Sequence, residues 1–304
     1  MPETGRVRKT DHALDKSRAG RRSDEAGSDR HDLGARSGTH SKKNDVRPHK
    51  VRYWLNPGLD ERKEERIRDV CAVYKLAGGR SEAREASKHS IAEKVKYWSI
   101  DEKSGMQAVQ RIHPELSVRP GLIARREFEY IRHGTQTLIA ALDIAKGTVR
   151  ATCGDTRTEK DFADFVEDIV ESYPDVGQHH IVLDQLNTHK SESLVRYVAR
   201  LSGFKGELGR KGVRGILKSQ VTREEFLSRP GNKIVFHYTP KHCSWMNQIE
   251  IWFSIFSRKV LRRGDFLGVA DLRKKTLSFI DYFNETMVRP FQWTYAGKVL
   301  MGAP

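Results

Sequence analysis

Two spacings of apolar residues along the chain predict where strands and helices form. Consecutive or alternating apolar residues indicate short strands at 97–100, 107–111, 135–143, 148–152, 179–183 and 233–238. Apolar residues at steps of three and four indicate helices at 60–77, 160–173, 193–201, 244–260 and 272–283. Strands followed by alternating strands and helices are typical of a mixed α/β sheet with helices on its faces.

Composition divides the chain into three parts. Residues 1–45 contain no Phe, Trp or Tyr and are crowded with charged residues, Ser and Gly, so they cannot bury enough apolar surface to offset the entropy lost on ordering. We therefore predict a disordered basic segment there, either a DNA-contacting arm or a solvated tail, followed by a helical linker over 46–94. Residues 95–304 form the predicted α/β domain, interrupted by a basic, glycine-rich loop at about 202–231.

The charge of the chain restricts its partners. Among 304 residues, 55 Lys and Arg exceed 40 Asp and Glu, and the net charge is +15. So positive a chain favours a polyanionic partner, nucleic acid first and an anionic membrane surface second. No apolar run is long enough to cross a bilayer, the N-terminus lacks a secretion signal, and the three cysteines form no Cys-x-x-Cys pair. We expect a soluble cytoplasmic protein without a disulfide framework or a zinc cluster.

The helix predicted from residue 244 carries an acid at the margin of its apolar face. Ser244 is a suitable N-cap, and Glu250 lies beside the face, with Asn247 one turn before it and Ser254 one turn after it. The face itself consists of Ile249, Trp252, Phe253, Phe256 and Val260. A carboxylate at the edge of a buried surface is costly to desolvate unless it has a partner, and a metal ion would be one. The alternative is that Glu250 points into solvent.

Two further acids occur where apolar strands run out. Asp101 follows the strand at 97–100, and Asp184 follows the strand at 179–183. Ligands of open α/β sheets bind at the ends of central strands, so these acids and Glu250 could converge from three elements. Hard oxygen ligands of this kind suit Mg²⁺ or Mn²⁺, and two such ions stabilise both oxygens in phosphodiester cleavage. The alternative is that both aspartates cap strand ends and turns.

Three ordered motifs resemble those of a known family. They are IDEKSGMQA at 100–108, LDQLNTHK at 183–190, and the stretch from YTPKH to EIWF at 238–253. All three resemble bacterial insertion-sequence transposases of the branch allied to the Tc/mariner DDE superfamily, and the resemblance covers roughly residues 46 to 300. Three motifs in the right order are far more specific than any one alone.

The resemblance implies a fold, a reaction and a site. The fold is a ribonuclease-H-like mixed sheet flanked by helices. The catalytic and metal-binding triad is Asp101, Asp184 and Glu250, with Mg²⁺ or Mn²⁺ as cofactor, two ions in all. The reaction is hydrolysis of a phosphodiester at a transposon end, followed by attack of the freed 3′-hydroxyl on target DNA. Asp143 lies in the hairpin outside the first motif and is not assigned to the triad.

Residues beside the triad have predicted accessory roles. Asn187, His189, His242 and Asn247 lie within the motifs and are expected to support the metal ligands or to contact DNA. The remaining motif-independent histidines are expected to pack in the core or lie on the surface, and Trp245 and Trp252 to be core residues. They are His113, His179, His180 and His237. Arg258, Lys259, Arg262 and Arg263 are expected to meet phosphates or to form a solvated helix face.

The partners implied are double-stranded DNA, as transposon ends and target, and a second copy of the chain in an active homodimer. The resemblance implies no membrane partner and places the protein in the bacterial cytoplasm, associated with the nucleoid.

The sequence departs from the family at three places. Gln185 follows Asp184 where Asn is usual. Asp184 and Glu250 are farther apart than in the compact mariner pattern, because the basic stretch at 202–231 intervenes. Relatives carry helix-turn-helix DNA-binding domains before the core, whereas residues 45–50 resemble only the last edge of one. The chain is therefore expected to be truncated, or its start to be read from an unrelated frame. This leaves two alternatives open: an inactive DNA-binding remnant, or a ribonuclease-H-like nuclease that cleaves without joining strands.

Overall fold

The computed structural model describes residues 61–86, 95–295 and 297. The predicted disordered segment and the helix-turn-helix edge at 45–50 lie outside the described residues. The strands are β1 (Val95–Arg111), β2 (Tyr130–Asp143), β3 (Val149–Gly154), β4 (Gln178–Leu183) and β5 (Ile234–Tyr238). The α-helices are α1 (Lys63–Ala86), α2 (Glu159–Glu171), α3 (Glu192–Leu201), α4 (Gln220–Leu227), α5 (Ile249–Phe256) and α6 (Val269–Thr286).

The five strands form one mixed sheet in the order β3-β2-β1-β4-β5. The pairs β1–β2 and β2–β3 are antiparallel, whereas β4 is parallel to both β1 and β5. This is the ribonuclease-H-like arrangement, so the predicted fold class is confirmed. Ser99 on β1 pairs with Val182 on β4. Asp101 and Asp184 each lie two residues farther along, and the register therefore brings the two acids to the same level of adjacent strands.

Apolar side chains cover both faces of the sheet. In β2, Ile139 and Ala141 pack against α2, α3 and α4, while Leu138, Ala140 and Leu142 pack against α5 and α6. Consecutive residues of a strand point to opposite faces of the sheet, so a strand that is covered on both sides needs apolar residues on both faces. A third apolar cluster lies under α1. No helix within the described ranges combines the length and the apolar character needed to span a membrane.

Strand β1 is longer than its apolar pattern predicts. The separate strands expected at 97–100 and 107–111 are one strand of 17 residues, with shifts of register near Lys103 and Gln107. β1 pairs with β2 over almost its full length, and this pairing holds the polar residues between the two predicted strands in extended form. Asp101 therefore lies in the middle of β1, and the prediction that it marks the end of a strand is wrong.

Two predicted helix boundaries are also wrong. Helix α1 continues through Gly78 and Gly79 to Ala86 instead of ending at residue 77. The helix expected to begin at Ser244 begins at Ile249, and Ser244–Met246 is a separate 3₁₀ turn in which Ser244 caps nothing. After α5 the chain continues as a π-helix, Ser257–Leu261.

The inserted segment, residues 202–231, is not the loop that its composition predicts. It contains a 3₁₀ turn, Ile216–Lys218, and helix α4. Ser219 and Thr222 form a capping box at the start of α4, and Phe226 and Leu227 are buried in the core. Because a short helix has few repeats, its periodicity is too weak to be recognised in the sequence.

Candidate active site

Asp101 is held in the interior at the centre of β1, where only 7% of its surface is exposed. Its Oδ1 accepts a hydrogen bond from the backbone N–H of Glu102 at 2.8 Å, and its Oδ2 accepts one from Nδ2 of Asn247 at 3.2 Å. Burial, and next the charge of Asp184, raise the pKa of Asp101 to about 7. A carboxylate with this pKa gains most from a cation that replaces its lost hydration.

Asn247 ties the segment before α5 to β1. Its Nδ2 also donates to the carbonyl of Ile100 at 2.9 Å, and its Oδ1 accepts from the hydroxyl of Ser99. The same hydroxyl accepts from the backbone N–H of Ile249 at 2.9 Å. Asn247 has extended backbone just before the helix, so the prediction that it lies one helical turn from Glu250 is wrong. Its contact is with Asp101 instead.

His189 joins Asp184 to Glu102. Its Nδ1 lies 2.8 Å from Oδ1 of Asp184, and its Nε2 lies 3.1 Å from Oε2 of Glu102. The backbone N–H of Leu186 also donates to Oδ1 of Asp184, at 2.9 Å. The His189 side chain is completely buried, so it offers no surface to a DNA phosphate. Of the two roles predicted for His189, only support of a metal ligand is compatible with this burial.

The charges of this group are coupled. Burial alone would lower the pKa of His189, but its hydrogen bonds to Asp184 and Glu102 outweigh burial and raise that pKa to about 10. Burial likewise opposes the ionised form of Asp184, but the hydrogen bond and charge of His189 hold the pKa of Asp184 below its ordinary value. At neutral pH the group therefore contains an imidazolium that is paired with Asp184 and hydrogen-bonded to Glu102.

Glu250 approaches the same region from the second residue of α5. It is partly buried, and burial raises its pKa, while Lys103 opposes this shift and Asp184 adds to it. Asp184 thus acts electrostatically on both Asp101 and Glu250. Asp184 is thus near enough to both other predicted acids to raise the pKa of each.

One group of side chains could hold a metal ion. Asp101, Glu102 and His189 each offer a ligand atom, and these atoms lie within 4.8 Å of one another. Oε1 of Glu102 is buried and, in the described part of the chain, has no hydrogen-bond partner. Two carboxylates, one of which has an unpartnered oxygen, fit a divalent cation such as Mg²⁺ or Mn²⁺. His189 would join them as a ligand only after it loses a proton and releases one of its two carboxylate partners. Asp184 and Glu250 lie outside this group.

Glu102 is the site residue that the sequence analysis missed. Consecutive residues of a strand point to opposite faces, and Glu102 shares the face of Trp98 and Ile100. Apart from its position next to Asp101, nothing in the sequence marks Glu102 as a residue of the site. Its side chain is 1% exposed and meets His189 only because β1 and the loop after β4 are adjacent.

The other predicted accessory residues lie at the surface. Asn187 is exposed, and its Oδ1 accepts a hydrogen bond from Nε2 of Gln220 at 2.8 Å. His242 is exposed and has a left-handed backbone, with φ of 60°. Within the described residues, neither of them hydrogen-bonds to Asp101, Asp184 or Glu250. The predicted phosphate-contacting residues Arg258, Lys259, Arg262 and Arg263 are all exposed.

Among the cavities formed by the described residues, two flank the sheet. One, of about 340 Å³, is lined by Lys103, Arg111, Tyr130 and Ser257 among others, and Lys103 links it to Glu250. The guanidinium of Arg111 lies 5.6 Å from the centre of the Tyr130 ring. The other, of about 450 Å³, lies between β3 and α2 and is lined with acids. Of the two, only the first combines proximity to the predicted triad with the basic character that DNA requires.

The remaining predictions for individual residues have mixed outcomes. Trp252 is a core residue as predicted, but Trp245 is 51% exposed, so its assignment to the core is wrong. His113 is exposed and His179 is buried against Trp98, whose Nε1 donates to it at 3.2 Å. Asp143 forms an ion pair with Lys96 at 2.6 Å, which gives it a structural partner outside the site. All three cysteines are free and buried.

Comparison with known proteins gives one family match and several distant structures. A family described as DDE superfamily endonuclease matches residues 96–273. A pre-cleavage Mos1 transpososome is 12% identical with a TM-score of 0.40, over 83% of this chain and 63% of that chain. A Mos1 mariner paired end complex with Mn is 13% identical with a TM-score of 0.30, over 83% of this chain and 71% of that chain. This chain thus spans less than two thirds of the length of the first of these structures. No curated protein matches it.

Proposed function

Because the chain belongs to the DDE superfamily endonuclease family, which it matches over residues 96–273, we propose that it is the catalytic core of a DNA transposase. The branch is that of the insertion-sequence transposases allied to the Tc/mariner superfamily. The reaction is phosphodiester hydrolysis at a transposon end and transfer of the freed strand into target DNA. The observation that carries the proposal is the register of the sheet, which brings Asp101 and Asp184 to one level of adjacent strands, together with the contact of Asn247, just before α5, with Asp101.

In this proposal the three acids reach the site from three different elements of the fold. Asp101 and Asp184 lie at one level of adjacent strands, and Glu250 completes the site from α5. Two divalent ions, Mg²⁺ or Mn²⁺, would activate the attacking oxygen and stabilise the leaving oxygen of the phosphodiester. Asn247 fixes Oδ2 of Asp101, and His189 fixes Oδ1 of Asp184 and keeps it ionised. Both supports hold the carboxylates in orientation before DNA binds.

The surface around the site suits the backbone of DNA. Arg258 and Lys259 are exposed on the π-helix that follows α5, and Arg262 and Arg263 are exposed just after it. Lys103 and Arg111 line the neighbouring cavity. Contacts of this kind neutralise phosphates without reading sequence. A DNA-binding protein of this class would act in the cytoplasm, on the nucleoid.

We also propose a homodimer, with the tip of the β1–β2 hairpin (residues 112–131) as the contact. Eight of the large hydrophobic side chains that are exposed in the described residues belong to this tip, among them Val118 at 72%, Ile123 at 83% and Phe128 at 79%. The tip has three basic and three acidic residues, although the chain carries +15. A neutral apolar surface fits a protein partner better than DNA. The resemblance to transposases makes a second copy that partner.

A second candidate function is cleavage without strand transfer. The description of the family, an endonuclease, favours it equally well. The two candidates differ in whether a freed 3′-hydroxyl becomes covalently joined to a second DNA duplex. A strand-transfer assay with labelled transposon-end DNA distinguishes them.

The experiment that tests the function is Mg²⁺-dependent nicking of DNA. The wild-type chain is compared with Asp184→Asn and with Asp168→Asn, a matched change at an exposed acid of α2. We expect nicking by the wild type and by Asp168→Asn, abolished by EDTA, and a loss of at least about a hundredfold in Asp184→Asn. Nicking by Asp184→Asn at the wild-type rate would refute the assignment.

A further inference from the structure

Helix α4 of the inserted segment contacts the loop after Asp184 at three points. Nε2 of Gln220 donates to Oδ1 of Asn187 at 2.8 Å. Nε of Arg223 donates to the backbone carbonyl of Lys190, and Nζ of Lys190 lies 2.6 Å from Oε2 of Glu224. The contacts thus hold both ends of the 3₁₀ turn Asn187–Lys190.

These contacts are buried, and several involve charge. The side chain of Lys190 is 5% exposed and that of Glu224 is 7% exposed. Arg223 is also buried, and its Nη1 donates to the carbonyl of Leu217 at 3.0 Å. A buried charge that loses its partner keeps the cost of its lost hydration. The loop and α4 are therefore held together strongly, as neither side can solvate its charge alone.

The same network extends to the residues beside the proposed metal ligands. Nζ of Lys190 donates to Oε1 of Gln185 at 3.1 Å, and Nε2 of Gln185 donates to the carbonyl of Thr239 at 2.9 Å. Gln185 directly follows Asp184, and Lys190 directly follows His189. Lys190 therefore ties together the two ends of the loop that presents Asp184 and His189 to each other.

Glu224 also forms ion pairs with α1 and with the residue just before α1. Nη2 of Arg66 lies 2.8 Å from Oε1 of Glu224, and Nη1 of Arg62 lies 3.4 Å from the same oxygen. Each carboxylate oxygen of Glu224 thus binds a different element, α1 on one side and the loop on the other. Glu224 is the junction of α1, α4 and the loop.

We propose that α4 is a positioning element for the active site, and that Arg223 and Glu224 are its positioning residues. They act through Lys190, which fixes the loop on which the orientation of Asp184 and His189 depends. The inserted segment then has a role at the active site, beyond the loop that its composition predicts. The consequence for cleavage rests on the proposed function, whereas the ordering of the loop does not.

The first test measures the loop itself, without any substrate. Glu224→Gln keeps the shape of the side chain and removes its charge, and Glu225→Gln makes the same change at the adjacent exposed residue. Hydrogen exchange followed by mass spectrometry reports on the amides of residues 185–190. We expect these amides to exchange at least about tenfold faster in Glu224→Gln, because the loop opens locally more often. In Glu225→Gln we expect their exchange rates to equal those of the wild type. Equal protection in all three proteins would overturn the proposal.

The second test measures cleavage. In Glu224→Gln we expect kcat for Mg²⁺-dependent nicking to fall about tenfold to a hundredfold, because the ligand orientation is lost. We expect KM for DNA to change less than about twofold, because a buried residue offers no phosphate contact. An unchanged kcat would overturn the proposal. If the wild type itself does not cleave, the proposed function fails, and the exchange measurement still decides whether α4 orders the loop.

A triple variant separates positioning from general stability. Lys190→Met, Glu224→Met and Arg66→Met together replace the buried charges that meet at Glu224 by apolar side chains of similar size, a change that commonly preserves stability. We expect its Tm to exceed that of Glu224→Gln while the loop amides remain fast and kcat remains low. Recovery of loop protection and kcat together with Tm would show that the network acts only through overall stability, and would overturn the proposal. This variant also decides the question if Glu224→Gln does not fold.

Discussion

Nδ1 of His189 lies 2.8 Å from Oδ1 of Asp184, inside the protein and just beyond the end of β4. The hydrogen bond and charge of His189 keep Asp184 ionised despite its partial burial. An ionised, oriented carboxylate is what a divalent cation needs from a ligand. The imidazole thus prepares Asp184 for the role that we propose for it.

Replacement of His189 by Gln should move the acid limb of the pH–rate profile. The charge of His189 lowers the pKa of Asp184 and also that of Asp101, so its loss raises both. Asp101, with a pKa of about 7, sets the acid limb within the measured range, and this limb moves to higher pH. The measurement is kcat/KM for nicking between pH 5 and 9, with His113→Gln, a change at an exposed histidine, as control. An acid limb at the same pH in all three proteins would contradict this account.

Replacement of Asp101 by Asn should stabilise the metal-free protein at pH 8. The pKa of Asp101 in the folded state, about 7, lies above its ordinary value, so the ionised carboxylate costs stability once the pH rises through that range. At pH 4 the carboxylate is protonated in the folded state and about half protonated in the unfolded state, so most of this cost is absent. We expect the free energy of unfolding to rise by about 1–3 kcal/mol at pH 8 and to stay nearly constant at pH 4. Urea unfolding at the two pH values measures it, and a loss of stability at pH 8 would contradict the burial argument.

Removal of the side-chain amide in Asn247→Leu should weaken the site and the fold together. The amide joins Ser99, Ile100 and Asp101, so its loss leaves buried polar groups unpaired, at a cost of about 1–3 kcal/mol. We also expect Mn²⁺ affinity to fall about tenfold to a hundredfold. A double-mutant cycle with Ser99→Ala measures the coupling between the two residues. Strictly additive effects would show that Ser99 and Asn247 do not act as a unit.

Replacement of apolar residues by serine at the tip of the β1–β2 hairpin should dissociate the proposed homodimer. Ile123→Ser combined with Phe128→Ser removes two of its most exposed apolar side chains, and Val213→Ser changes an exposed apolar residue of the inserted segment as control. We expect the dimer dissociation constant to rise at least about tenfold in the hairpin variant only. This corresponds to a loss of more than about 1 kcal/mol of binding free energy. Sedimentation equilibrium measures it, with and without DNA. A wild type that stays monomeric under both conditions would refute the dimer.

Sequence patterns located the elements that carry the acids better than the contacts between them. Asp184 and Glu250 could be found because each lies beside a strongly apolar strand or helix face. The start of α5 could not be predicted, because the hydrogen bonds of Asn247 to β1 hold the preceding backbone in an extended form. Glu102 and Glu224 were missed for the same reason: an acid in the sequence gives no sign of burial until its partner from another element is known. Their partners, His189 and Lys190, lie far away in the chain.

The central claim is that Asp101, Asp184 and Glu250 meet at a metal site. It is tested most directly by anomalous diffraction from crystals of the protein grown with Mn²⁺ and DNA. We expect an anomalous peak about 2.1 Å from carboxylate oxygens of both Asp101 and Asp184, with Glu250 completing the coordination of one ion. A peak bound elsewhere, or none at these carboxylates when Mn²⁺ is in excess, would contradict the account.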